Sequence, residues 1–149
     1  MQIKLLLSTV LVSLTAATLC SAAAIDHDPL AVTRRLKPVV GNVTTADGSV
    51  LSYRLFNHTQ PAYANATPVI FVPGTGQVQT DWDSVIPHFI KKHPVLAFDI
   101  RGIGLSTVTN NSLVTRQNMG NDIHEIVKHF GWTHINLVGI SMGAIVSNT

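Results

Sequence analysis

Three short apolar runs leave few architectures open to this chain. Pro68-Val69-Ile70-Phe71-Val72-Pro73, Pro94 to Phe98 and Ile135-Asn136-Leu137-Val138 each have the length and composition of a buried strand. Stretches with helical spacing separate them. From Asp81 to His93 the residues Trp82, Val85, Ile86, Phe89 and Ile90 share one face, and Pro87 inside that pattern predicts a kinked or divided helix. A second helix is predicted from Met119, Ile123, Ile126, Val127 and Phe130, with Gly131 as its stop. Upstream, Val39 to Thr45 and Val50 to Phe56 flank Asp47-Gly48, and Asp-Gly supplies the positive φ of a tight antiparallel hairpin. Ile25 to Pro38 has no clear period, and Asn57 to Thr67 reads as a loop. The whole is an α/β pattern, a hairpin followed by β-α-β-α-β, which implies parallel strands covered by helices on both faces. Ligands in such sheets gather outside the C-terminal strand ends. The segments after Val72, Phe98 and Val138 all lie on that rim, so they meet in space although they are far apart in sequence.

The last of these segments carries the most chemistry. Leu137-Val138-Gly139-Ile140-Ser141-Met142-Gly143-Ala144 reads Gly-x-Ser-x-Gly at the end of an apolar run. A sharp strand-to-helix turn would lift Ser141 clear of the sheet edge, and its flanks could not tolerate bulk. Gly139 and Gly143 supply that room. Ser141 then stands at a helix N-terminus, where free N–H groups favour a developing negative charge. Taken alone, the motif equally describes a Gly/Ser-rich loop; the strand before it and the elements upstream favour the turn.

Composition narrows the class. With 12% charged and 46% apolar residues the chain is neither disordered nor a polyelectrolyte. Its net charge of +2 comes without a basic cluster, so no nucleic-acid partner is expected. Lys4, the apolar stretch Leu5 to Leu19 and the small residues Ser21-Ala22-Ala23-Ala24 read as a secretory signal peptide over residues 1–24. The run is short for a membrane span and no basic stop-transfer cluster follows, so no stable anchor is expected after cleavage. Cleavage would remove Cys20, the chain's single cysteine, leaving neither a thiolate site nor a disulfide. Asn42, Asn57, Asn65 and Asn110 open Asn-x-Ser/Thr sequons, consistent with a secreted, extracellular glycoprotein; Pro68 weakens the third.

Three motifs in order, Val72-Pro73-Gly74-Thr75-Gly76, Asp99-x-Arg101-Gly102-x-Gly104-x-Ser106 and Gly139-x-Ser141-x-Gly143, make residues 25–149 resemble the N-terminal half of the α/β-hydrolase fold. The resemblance implies a serine hydrolase of small carboxylic esters acting through an acyl-enzyme on Ser141, with no metal and no cofactor. The backbone N–H of Met142, which follows the nucleophile, and that of Thr75 would form the oxyanion hole. Asp99 and Arg101 read better as turn-builders, Asp99 capping local N–H groups and Arg101 bonding carbonyls or Asp99, than as an acid and an anion clamp. The family's epoxide hydrolases and haloalkane dehalogenases carry Asp at the elbow, so Ser141 weighs against both.

The family's order is nucleophile, acid, histidine. All seven histidines precede Ser141, and no Asp, Glu or His follows it. The resemblance therefore implies a sheet truncated after the elbow, without the lid, acid or base, as in a fragment that is inactive by itself. The spacing of His124 and His129 does not put both on one helix face, so no zinc pair is expected. Two other classes remain open. One is a non-catalytic or truncated relative that keeps the fold as a binding protein. The other is a dinucleotide-binding domain, suggested by Gly74-Thr75-Gly76 after a strand; Gln79 stands where its third glycine belongs.

Overall fold

The computed structural model describes residues 37–56 and 65–149. The signal segment with Cys20, and the sequon at Asn57, lie outside the described residues. Five strands form one mixed sheet: β1 (Val39–Thr44), β2 (Val50–Phe56), β3 (Val69–Val72), β4 (Val95–Phe98) and β5 (Asn136–Gly139). Their order across the sheet is β1-β2-β4-β3-β5. β1 and β2 make the expected antiparallel hairpin, Val43 opposite Leu51, with Gly48 at φ 82° in its turn. β2 joins β4 antiparallel; β3 runs parallel to β4 on one side and β5 on the other.

Alternation along β3 divides the core. Ile70 and Val72 face one side, with Leu51, Leu96, Phe98 and the helix residues Met119, Ile123 and Ile126. Val69 and Phe71 face the other, with Val95, Ala97, Trp82, Ile86 and Ile90. Helix α2 (Arg116–His129) covers the first face, its N-terminus capped by the Thr115 hydroxyl, which accepts from the Asn118 N–H. The second face bears out the division that Pro87 predicts. From Asp81 to His93 there is no continuous helix but two single turns, a 3-10 turn at Gln79–Trp82 and α1 at Ile86–Phe89. Pro87 sits in the first turn of α1, where its missing N–H costs nothing; inside one helix begun at Asp81 it would leave the Asp83 carbonyl without a donor. The Arg54 guanidinium ties this segment to β2, donating to the Gln79 carbonyl at 2.5 Å and meeting Asp83 at 2.6 Å. The final helix, α3 (Met142–Val146), is short and packs on β5 and β3.

The segment after β4 is architecture. Asp99, 1% exposed, accepts from the Gln79 N–H at 2.6 Å, the Gln79 side-chain amide at 3.0 Å and the Leu105 N–H at 2.9 Å. The Ser106 hydroxyl donates to the Asp99 carbonyl and accepts from the Ser52 N–H. Gly104 has φ 58°, and a Cβ there would collide with the Asp99 carboxylate. Arg101 does not bond Asp99 as the sequence suggested. Its buried guanidinium forks onto Asp122 of α2 at 2.5 and 2.7 Å, reaches Asp47 of the hairpin turn at 2.7 Å and donates to the Leu113 carbonyl at 3.2 Å. The hydrogen bonds it donates to Asp122 raise the Arg101 pKa above its ordinary value, while burial pushes the Asp122 carboxyl up. Sequence alone could not find this triad, because its members are far apart along the chain.

Candidate functional site

β5 ends at Gly139, and two residues later the backbone turns sharply. Ser141 has φ 53° and ψ −122°, and among the described residues it is the sole non-glycine at positive φ. That conformation is costly for a residue with a Cβ, so packing must impose it. The glycines at its flanks show how. A Cβ on Gly139 would lie 2.6 Å from the Gly143 carbonyl carbon, and one on Gly143 would collide with the Val72 carbonyl oxygen of β3. The turn is thus wedged against β3, and only glycines fit at either side. It is closed by the Gly143 N–H to the Ile140 carbonyl at 2.8 Å and the Ala144 N–H to the Ser141 carbonyl at 3.0 Å.

The consequence for Ser141 is exposure. Its side chain stands out of the sheet rim, and among the described residues its hydroxyl has no hydrogen-bond partner. The segment after β3 lies directly beside it. A Cβ on Gly74 would be 3.2 Å from the Ser141 Cβ and 3.0 Å from the Ile140 carbonyl oxygen, and the Thr75 hydroxyl meets the Met142 sulfur at 3.6 Å. The structure therefore brings together Ser141, Thr75, Met142, Gly139 and Gly143. The N–H groups of Thr75 and Met142, the two expected anion donors, donate to no acceptor within the described residues. Met142 opens α3, a helix of five residues, so its contribution rests on that local N–H rather than on a long helix dipole.

Other candidates are elsewhere. Of the described histidines, His93 meets the Thr67 carbonyl at 2.9 Å, His129 packs against Tyr53 and Phe130, and His134 meets the Thr133 hydroxyl. None is hydrogen-bonded to Ser141. Among the described residues no group of three or more His, Cys, Asp or Glu is placed to hold a metal ion. The dinucleotide pattern is not completed: Gln79, at the position of the missing third glycine, is buried and bonded to Asp99 and Ser52. An apolar cleft of about 230 Å³ opens between β5, α2 and α3, lined in part by Ile123, Val127, Leu137 and Val146, away from Ser141. Asn42, Asn65 and Asn110 are exposed, and the Asn110 side chain accepts from the Ser112 N–H. The described helices include none long and apolar enough to cross a membrane.

Comparison with known proteins agrees with this geometry. A family model described as the alpha/beta hydrolase fold matches residues 67–149. A soluble epoxide hydrolase from a Corynebacterium species is 29% identical over 80 residues, 54% of this chain and 28% of that protein. A 3-oxoadipate enol-lactonase from Acinetobacter baylyi is 28% identical over 105 residues, 70% of this chain and 37% of that protein. A hydrolase structure from Pseudomonas aeruginosa superposes with a TM-score of 0.64 at 27% identity, over 72% of this chain and 38% of that one. The chain thus spans about a third of the length of the relatives it matches. The family match, the sheet order and the serine corner after β5 converge: this chain belongs to the alpha/beta hydrolase family.

Proposed function

We propose that this chain supplies the nucleophile and oxyanion hole of a secreted serine hydrolase that cleaves carboxylic esters. The observation that carries this reading is the set of unpaired groups at one corner. An exposed hydroxyl at Ser141 stands beside two N–H groups, from Thr75 and Met142, that have no acceptor among the described residues. Attack of the Ser141 oxygen on an ester carbonyl creates a tetrahedral oxyanion, and donors already unpaired stabilise it without first breaking a bond of their own. Collapse of the intermediate expels the alcohol and leaves an acyl-Ser141 ester, which water then hydrolyses. A base must take the serine proton. Among the described residues no histidine is hydrogen-bonded to Ser141, so that proton acceptor has to reach the rim from outside them.

Two relatives point to different leaving groups. An enol-lactone is a cyclic ester, so acyl transfer through a serine suits the chemistry named for the Acinetobacter baylyi relative. Epoxide opening is the chemistry named for the Corynebacterium relative, and the family's epoxide hydrolases carry an Asp elbow. Ser141 occupies that place here and supports ester over epoxide cleavage. The signal-like leader and the exposed sequons at Asn42, Asn65 and Asn110 support secretion and glycosylation.

The test is a fluorophosphonate probe on the full-length gene product, followed by turnover of p-nitrophenyl acetate and of styrene oxide. We expect covalent labelling at Ser141, ester turnover that falls by at least about 10⁴-fold in Ser141→Ala, and no epoxide opening. A product that resists the probe and turns over no ester sinks the proposal and leaves a binding protein on the same fold; one that hydrolyses the ester equally well without the serine sinks it by moving the catalysis elsewhere.

A further inference from the structure

We infer that Gln77 is a positioning residue for the oxyanion hole, fixing the Gly74–Thr75 backbone so that the Thr75 N–H is the one left to point at reacting charge. This rests on the reading of Ser141 as the nucleophile. Residues 74–77 form a turn closed twice. The Gln77 N–H donates to the Gly74 carbonyl at 3.2 Å, and the Gln77 side-chain oxygen accepts from the Gly74 N–H at 2.8 Å. Gly76 takes φ 75°, as the third position of a type II turn requires.

The side-chain bond selects between two adjacent donors. Gly74 is buried, and its N–H would otherwise be an unpaired donor against the elbow. Gln77 satisfies it. The next N–H along, that of Thr75, has no acceptor among the described residues. Truncating Gln77 would free the Gly74 N–H to seek water or a carbonyl, and the shift of the Gly74 backbone that follows would move the adjoining Gly74–Thr75 peptide and carry the Thr75 N–H off its aim. A donor held in place by a bond elsewhere in its own turn costs no reorganisation when charge develops.

Gln77 is also close enough to matter electrostatically. The point where a Gly74 Cβ would lie is 3.0 Å from the Gln77 side-chain oxygen and 3.2 Å from the Ser141 Cβ. A neutral amide is tolerable there. A carboxylate would accept the same hydrogen bond, and accept it more strongly, while setting a full negative charge beside the developing oxyanion. Gln77→Glu thus separates holding the turn from tuning the site.

The experiment measures p-nitrophenyl acetate turnover and fluorophosphonate labelling rate on the full-length product and its Gln77→Ala, Gln77→Glu and Ser141→Ala variants. Gln77→Ala is expected to lower kcat by about 10- to 100-fold with KM within about twofold, because the lost interaction acts in the transition state. Gln77→Glu is expected to melt no earlier than the parent yet to be slower. Its deficit relative to the parent should shrink as pH falls toward about 4.3, the ordinary glutamate pKa, where the added charge is neutralised. Parent-like kcat and labelling in both Gln77 variants, with Ser141→Ala dead, overturns the positioning role alone. A pH-independent Gln77→Glu deficit, or a deficit in KM rather than kcat, also overturns it. Labelling or turnover that survives Ser141→Ala removes the nucleophile reading, and this inference with it.

Discussion

β4 and β5 flank β3, and each ends in a corner built from glycine, serine and small polar residues. The two corners have opposite economies of hydrogen bonding. After β4, Asp99, Arg101 and Ser106 are buried and fully engaged: the carboxylate takes three N–H donors, the guanidinium forks onto Asp122 and Asp47, and the hydroxyl both donates and accepts. After β5, the Ser141 hydroxyl is exposed and unbonded among the described residues, its backbone is held at positive φ, and neighbouring N–H groups are idle. Similar residue types thus serve two ends. Satisfied polar groups in the interior fix a shape; those after β5 stay without partners on a strained, wedged turn.

Three substitutions can break or sharpen that contrast. The largest effect is expected at Gly143→Ala, where the new methyl has nowhere to go but into the Val72 carbonyl of β3. The elbow must shift, and a displacement near 1 Å at a nucleophile costs about 100-fold in rate. Ester kcat/KM of the full-length product measures this, and near-parent activity would show that the wedge is not what aims Ser141. Next, Arg101→Ala leaves Asp122 buried without its partner and should destabilise the fold by ~3–5 kcal/mol in urea denaturation. Because this corner is architecture, kcat per folded molecule should stay within about twofold. A selective loss of kcat with unchanged stability would instead move Arg101 into the reaction.

The smallest effect is at Asp47. The Thr45 hydroxyl, then the Arg101 guanidinium, hold its carboxyl well below the usual carboxylate range. A depressed folded pKa stabilises the protein above the unfolded value of about 3.9, and the stabilisation is lost as pH falls through that window. Asp47→Asn should therefore lower Tm modestly at pH 7, and the gap to the parent should close below about pH 4. Asp47 is exposed and screened, so the shift is small. A gap that is constant with pH would show that Asp47 contributes shape rather than charge.

Much of this was legible before any coordinates. The 3.6-residue pattern from Met119 to Phe130 became α2, and the short apolar runs became β3, β4 and β5, because local periodicity and burial agree there. Asp47-Gly48 marked the hairpin turn, where Gly48 alone takes positive φ in a connection of residues 45–49 between Thr44 and Val50. Pro87 foretold that the stretch from Asp81 to His93 would be divided, and it is; what the sequence did not show is that the Arg54 guanidinium, on a strand far upstream, ties the first turn down through the Gln79 carbonyl and Asp83.

The sequence by itself determined the order of strands and helices, the elbow at Gly139-Ile140-Ser141-Met142-Gly143 and its place on the C-terminal rim, because each follows from spacing and from glycine's lack of a Cβ. Only the tertiary structure decided which polar groups are spent and which are spare. Arg101 turned to Asp122 and Asp47 rather than to Asp99, Gln79 bonded to the Asp99 carboxylate, and Gln77 took the Gly74 N–H while leaving that of Thr75 open. The physical reason is that a hydrogen bond needs a partner within about 3 Å, and at that range it is packing, not separation along the chain, that chooses the neighbour.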